Sequence, residues 1–187
     1  MTSQLVLVTG ATGYIGAWCV KSLLDKGYRV RGTVRDPNNT AKNAFLTALP
    51  GASPERLELV KGDLNVEAGW VSVIAGCDYV LHVASPYTLA AKDVQRELVD
   101  PAVNGTRFVF EACAKTPSVK RIVLTSSVAA VSDCFDEWKT HVYSDKDWNT
   151  TSSLSRNPYY YSKVMAERWA WEFMDKQKPS FDMAVIP

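Results

Sequence analysis

Six short apolar runs rich in β-branched residues alternate with stretches of helical period. The runs cover residues 4–9, 28–34, 56–61, 78–84, 120–126 and 181–186, and the helical stretches lie near 14–26, 40–49, 66–75, 94–115 and 158–177. Turn signals such as "DPNN", "LPGASP" and "TP" separate them. Parallel strands need a long crossover, and a helix between strands supplies one while covering a face of the sheet. The alternation therefore predicts an α/β fold: one domain over residues 1–187, built as a doubly wound parallel sheet of six or more strands with helices on both faces. The remaining segment, 127–156, is polar, aromatic and rich in Ser and Thr. It is long for a connection in a compact domain, and such loops commonly carry function.

Charge narrows the partner. Lys and Arg total 21 against 20 Asp and Glu, for a net charge of +1. That balance gives no electrostatic reason to expect nucleic acid or an anionic membrane, so a small molecule is the expected partner. The opening "MTSQLVLVTG" runs straight into the first strand pattern, and no later apolar run approaches a membrane span. A cytoplasmic protein is expected. Cys19, Cys77, Cys113 and Cys134 are far apart and form no C-x-x-C, which predicts reduced thiols and no metal site.

The first strand ends in "VTGATGYIG", placing Gly10, Gly13 and Gly16 where the first helix begins. Glycine lets the backbone turn sharply and approach a diphosphate, while free N–H groups and the helix dipole attract its charge. Gly10, Thr12, Gly13, Tyr14, Ile15 and Gly16 are the expected diphosphate cradle of a Rossmann fold. Arg35 follows Gly16 by nineteen residues, where the second strand should end and the adenosine ribose is read. A carboxylate there would accept from a 2′-hydroxyl, whereas an Arg fork suits a 2′-phosphate. Arg35, with Lys42 in the same loop, predicts NADP(H), although the adjacent Asp36 keeps NAD open. Asp63 and Leu64, after the third strand, are expected against the adenine. Asp63 also suits a helix cap before "NVEAGW". Val83, Ala84 and Ser85 follow the fourth strand and should line the trough, with His82 a hydrogen-bonded strand-end residue.

"RNPYYYSKVMAE" sets three tyrosines before a lysine. Asn157 suits an N-cap and Pro158 the first helical position, so Tyr159 and Lys163 should stack one turn apart on one face. Tyr160 lies three residues before the same lysine, and spacing alone leaves both open.

"TGATGYIG", "TVRDP", "GDL", "HVASP", "VNGT", "LTSS" and "NPYYYSK" occur in the order found in extended short-chain dehydrogenases/reductases. The chain most resembles the group of dihydroflavonol and cinnamoyl-CoA reductases. The resemblance implies a catalytic Tyr159 and Lys163, with Ser127 in the Ser role and Ser126 as its rival. It also implies an NADPH-dependent reduction of an aldehyde or ketone in which Tyr159 gives the proton. Ser127 would hydrogen-bond the carbonyl oxygen, and Lys163 would lower the tyrosine pKa and hold the nicotinamide ribose. Pro187 falls on the family's proline at the exit of the sixth strand, beside the cofactor. The family continues from there into a smaller substrate-binding region, which this chain is expected to lack, and a homodimer through the helices near 94–115 and 158–177 is a further implication. Ser132 stands where dihydroflavonol reductases place an Asn facing the flavonoid, so the substrate is left open. A sugar epimerase, a hydroxysteroid dehydrogenase, a non-catalytic NADP-binding protein or an inactive truncated fragment are the alternatives on this fold.

Overall fold

The computed structural model of the chain describes residues 3–88, 90–133 and 142–187. Along it run β1 (Leu5–Val8), α1 (Tyr14–Asp25), β2 (Arg29–Val34), α2 (Thr40–Thr47), β3 (Leu57–Lys61), α3 (Trp70–Ile74) and β4 (Tyr79–His82). They are followed by α4 (Asp100–Ala114), β5 (Arg121–Thr125), α5 (Val128–Val131), α6 (Pro158–Gln177) and β6 (Asp182–Ile186). A π-helical turn, Gln95–Val99, feeds directly into α4.

Every strand pairing is parallel, in the order β3-β2-β1-β4-β5-β6. The chain starts mid-sheet, winds outward to β3, then crosses back to β4 on the other side of β1. That reversal opens a crevice at the carboxyl ends of β1 and β4, where ligands bind in folds of this class. The six expected strands are all present, each trimmed at one or both ends. β4 stops at His82 because the N–H groups of Val83 and Ala84 turn to the Thr9 hydroxyl instead of a neighbouring strand.

Alternation along β1 explains the two cores. Leu5 and Leu7 face a cluster with Trp70, Ile74, Phe110, Ile122 and Phe181, under α3, α4 and α6. Val8 faces the opposite cluster with Val20, Leu24 and Leu46, under α1 and α2. All four β1 residues are therefore buried, each large side chain contributing about 1.5–3 kcal/mol. Cys77 and Cys113 are buried in the first core and Cys19 is half-buried, all three as free thiols. Burial pushes Cys77 up to about 11, which keeps it protonated at neutral pH. Cys134 lies outside the described residues.

Two helices depart from the sequence expectation. The stretch near 66–75 yields only Trp70–Ile74, because Gly69 takes a left-handed conformation (φ 97°) that ends the preceding turn. The segment 127–156, expected to be irregular throughout, contains the four-residue α5, too short to leave a periodic signal.

Candidate functional site

The glycine turn is closed by contacts and a backbone angle that disfavour any side chain. Gly10 is left-handed (φ 67°), and a Cβ there would lie 3.1 Å from that of Ala84. A Cβ on Gly16 would fall 2.2 Å from the Gly10 carbonyl oxygen. Gly13 is the N-cap of α1 and no side chain caps the helix, so its first N–H groups face the crevice without a side-chain acceptor. Thr33 secures the turn from β2: its hydroxyl accepts from Gly10 N–H at 3.0 Å and its carbonyl from Ala11 N–H at 3.0 Å.

A buried chain of hydrogen bonds fixes the facing wall. The Thr106 hydroxyl donates to the Ala102 carbonyl (2.9 Å), so its oxygen is left to accept from His82 Nε2–H (3.4 Å). His82 Nδ1 then has only a lone pair and accepts the Thr9 hydroxyl proton (3.0 Å). The Thr9 oxygen in turn accepts from the N–H groups of Val83 (3.0 Å) and Ala84 (2.9 Å). His82 is thus a structural strand-end residue, as expected. Thr9 and Thr33 were not singled out by the sequence, since a Thr at a strand end has no motif of its own.

Together these walls bound a trough of about 1130 Å³ across the carboxyl ends of the strands. Strand order sets its polarity: Arg35, Lys42, Asp63 and Leu64 line the side of β2 and β3, the glycine turn and residues 83–85 the middle, and Tyr159 and Lys163 the side of β5. Every residue expected at the cofactor lines it except Pro187, which is exposed at the end of β6. Among the described residues no carboxylate pairs with Arg35. Asp36, its rival, is off the trough wall and accepts from Asn38 N–H at 2.9 Å within the turn. Asp63 does not cap α3. Its carboxylate closes a tight turn on Asn65 N–H (2.9 Å), leaving the N-cap to Gly69. Tyr87 and Arg96 also line the trough, contributed by the loop after β4 and the π-helical turn. Tyr87 escaped the sequence reading because a loop position carries no period, and Arg96 because it lies in a stretch read only as helix.

At the β5 end the three tyrosines separate. Tyr159 lines the trough, while Tyr160 is half-buried off its wall, its ring edge-on to Tyr159 at 6.2 Å. Tyr87 packs edge-on to Tyr159 from the other side at 5.0 Å. Ser127 is the N-cap of α5: its oxygen accepts from Ala129 N–H (3.2 Å), and its side chain lies close enough to the Tyr159 phenol to lower the phenol pKa. Ser126 instead spends its hydroxyl on the Glu167 carboxylate. Lys163 is only 6% exposed and donates to the Thr125 carbonyl at 3.4 Å. Burial pushes its pKa down to about 8, against the opposing pull of Glu167. The expected lowering of the Tyr159 pKa by Lys163 is not what the protein alone shows. Burial pushes the Tyr159 phenol up, with the nearby Ser127 side chain partly offsetting it, because the phenolate loses more hydration than its neighbours return.

The helix entry also corrects an expectation. Asn157 occupies the N-cap position of α6 but makes no capping side-chain bond; it is left-handed (φ 49°), and its amide donates to the Asp133 carboxylate. Pro158 does hold the first turn. Ser132 is buried at the end of α5 and is not a trough residue. Asn149 ties the following loop to α5, donating to the carbonyls of Ala129 (2.9 Å) and Ala130 (2.8 Å).

A model of the NAD dependent epimerase/dehydratase family matches residues 6–185. Cinnamoyl-CoA reductase CAD2 of Medicago truncatula is 45% identical over 98% of this chain and 56% of that protein. Dihydroflavonol 4-reductase of Arabidopsis thaliana is 40% identical over 98% of this chain and 48% of its own length. Among solved structures, yeast methylglyoxal/isovaleraldehyde reductase Gre2 in complex with NADPH matches with a TM-score of 0.85 at 30% identity, over 97% of this chain and 56% of that one. The chain spans about half the length of the relatives it matches. From a Rossmann sheet in the order 3-2-1-4-5-6, a glycine cradle at its switch point and a family match along nearly the whole sequence, it follows that this chain belongs to the NAD-dependent epimerase/dehydratase family.

Proposed function

We propose that the protein acts in the cytoplasm as an NADPH-dependent reductase, converting an aldehyde or ketone carbonyl to an alcohol with Tyr159 as proton donor. The observation that carries this reading is the Tyr159 side chain on the trough wall, close to Ser127 and sharing that wall with the buried Lys163. The cradle fits a phosphorylated dinucleotide: Gly10 and Gly16 leave no room for a Cβ, and the uncapped N-terminus of α1 suits a diphosphate. Arg35 and Lys42 would hold the 2′-phosphate, Asp63 and Leu64 the adenine, Val83, Ala84 and Ser85 the middle of the cofactor, and Lys163 the nicotinamide ribose. When bound, NADPH supplies the hydride that reduces the carbonyl carbon.

The chain's own residues supply the rest. Burial keeps the Tyr159 phenol protonated at neutral pH, so it has a proton to give as negative charge develops on the carbonyl oxygen. The Ser127 oxygen is engaged by Ala129 N–H, which leaves its own proton free to turn toward Tyr159 or the oxyanion. Lys163, an ammonium below about pH 8, stabilises the tyrosinate left behind, which then recovers a proton from water. The reading includes a homodimer through α4 and α6. Its support is a groove of about 410 Å³ at the C-terminal ends of these helices, where Trp169 and Phe173 lie among Glu111, Lys115, Glu172 and Lys176.

Methylglyoxal-dependent consumption of NADPH tests the assignment. Tyr159→Phe should reduce turnover by about 10²- to 10⁴-fold, the range of a lost general acid, while Tyr160→Phe keeps most of it. The reverse pattern would move the proton donor by one residue. Absence of carbonyl-dependent consumption by the unmodified protein, across small aldehydes and ketones, would sink the reductase reading and leave a binding role.

A further inference from the structure

Asp133 is the one carboxylate in the described residues that is buried yet remote from the trough. Its side chain is fully shielded from solvent and is not part of the trough wall. It accepts three donors: the Thr151 hydroxyl (2.7 Å), Arg156 Nε (3.0 Å) and the Asn157 side-chain amide. These bonds outweigh burial and hold its pKa below the usual carboxylate range, so it is an anion at neutral pH.

The placement of those donors gives the carboxylate a purpose. Asp133 lies two residues beyond α5, the helix that Ser127 caps, whereas Arg156 and Asn157 immediately precede α6, the helix that carries Tyr159. One group therefore joins the exit of one functional helix to the entry of the other. Asn157 is left-handed (φ 49°) and stands directly before a proline, a combination that costs on the order of 1–3 kcal/mol and persists only where surrounding contacts impose it. The bond from its amide to Asp133 is the side-chain contact that imposes it. A relaxed Asn157 would rotate the first turn of α6 and carry Tyr159 away from Ser127.

We propose that Asp133 is a positioning residue: its carboxylate clamps the entry of α6 against the exit of α5 and thereby sets where the Tyr159 phenol stands against Ser127. This rests on the reductase reading for its catalytic consequence, and on the hydrogen bonds alone for its structural one.

The test compares Asp133→Asn, Asn157→Gly and the double variant in the full chain. Misplacing a proton donor by about 1 Å can cost on the order of 100-fold. Asp133→Asn should therefore lower kcat for methylglyoxal about 10- to 100-fold, while the Kd for NADPH moves less than about twofold. Both substitutions break the same clamp, so the double variant should be no worse than the worse single one. Additive losses, or a fall in kcat matched by an equal fall in NADPH-binding capacity, would overturn the clamp and indicate general destabilisation. Should Asp133→Asn not fold, Asn157→Asp stands in: it tolerates the left-handed backbone but sets a second carboxylate against Asp133, and must show the same split. If the unmodified protein reduces no carbonyl, the functional reading fails by itself. The clamp is then judged on the ¹³Cζ resonance of Tyr159, assigned with Tyr159→Phe. Asp133→Asn must shift it in the same direction as Ser127→Ala, since both weaken the effect of Ser127 on the phenol; an unmoved resonance overturns the proposal.

Discussion

His82 is buried between two threonine hydroxyls, and burial, reinforced by the Lys163 charge, pushes its pKa down to about 3. The unfolded chain carries an ordinary imidazole, near 6.5. Between those values the unfolded state binds the proton and the folded state does not, so stability rises with pH across the window and is lost as pH falls from about 6.5 toward 3. The slope from this one residue is about 1.4 kcal/mol per pH unit. Asp78, Asp133 and Asp182, each held below the usual carboxylate range, add acid sensitivity of their own at the lower end. Urea unfolding of the unmodified protein and of His82→Gln, at several pH values from 4 to 7, isolates the histidine. The variant should lose stability less steeply by about that slope; parallel curves would mean that His82 titrates normally in the folded protein.

At the scale of elements, the proposed cofactor choice rests on the turn that joins β2 to α2. Arg35 and Asp36 are adjacent in sequence, but the backbone commits Asp36 to Asn38 N–H and leaves Arg35 lining the trough, with no carboxylate partner among the described residues. NADPH should therefore bind more tightly than NADH. A charge-assisted hydrogen bond is worth about 1.5–3 kcal/mol, so Arg35→Ala should weaken NADPH by roughly 10- to 100-fold and leave NADH nearly unchanged, as fluorescence titration would read. Equal binding of both cofactors by the unmodified protein would remove the assignment. The same scale shows what local pattern hides. Asn157 and Pro158 form a sound helix start in sequence, yet the Asn amide is drawn away by a carboxylate 24 residues earlier, a contact that no window around the helix contains.

Across the whole molecule the sheet is held between two unequal cores, and Phe110 is the centre of the larger. Its ring meets those of Trp169 (6.2 Å), Phe173 (5.9 Å) and Phe181 (6.4 Å), all edge-on, joining α4 to α6 and to the approach of β6. Phe110→Ala should cost about 3–5 kcal/mol in urea unfolding, whereas Trp18→Ala, on the exposed face of α1, should stay within about 1 kcal/mol. A small loss at Phe110 would mean that the packing between α4 and α6 relaxes freely. The sequence by itself determined the alternation of strands and helices, the glycine turn after β1, and the cations at the end of β2, because each depends on neighbours a few residues away. The parallel order and the crevice followed from that alternation, since few topologies accommodate it. Only the tertiary structure decided that Tyr159 and not Tyr160 lines the trough, that Ser126 lines it with its hydroxyl spent on Glu167 while Ser127 caps α5 beside Tyr159, and that burial pushes the phenol pKa up. It alone also shows one carboxylate after α5 gripping the entry of α6. Those outcomes depend on which groups lose water together and which distant donors converge, and strand order and packing across the sheet settle that where residue spacing cannot.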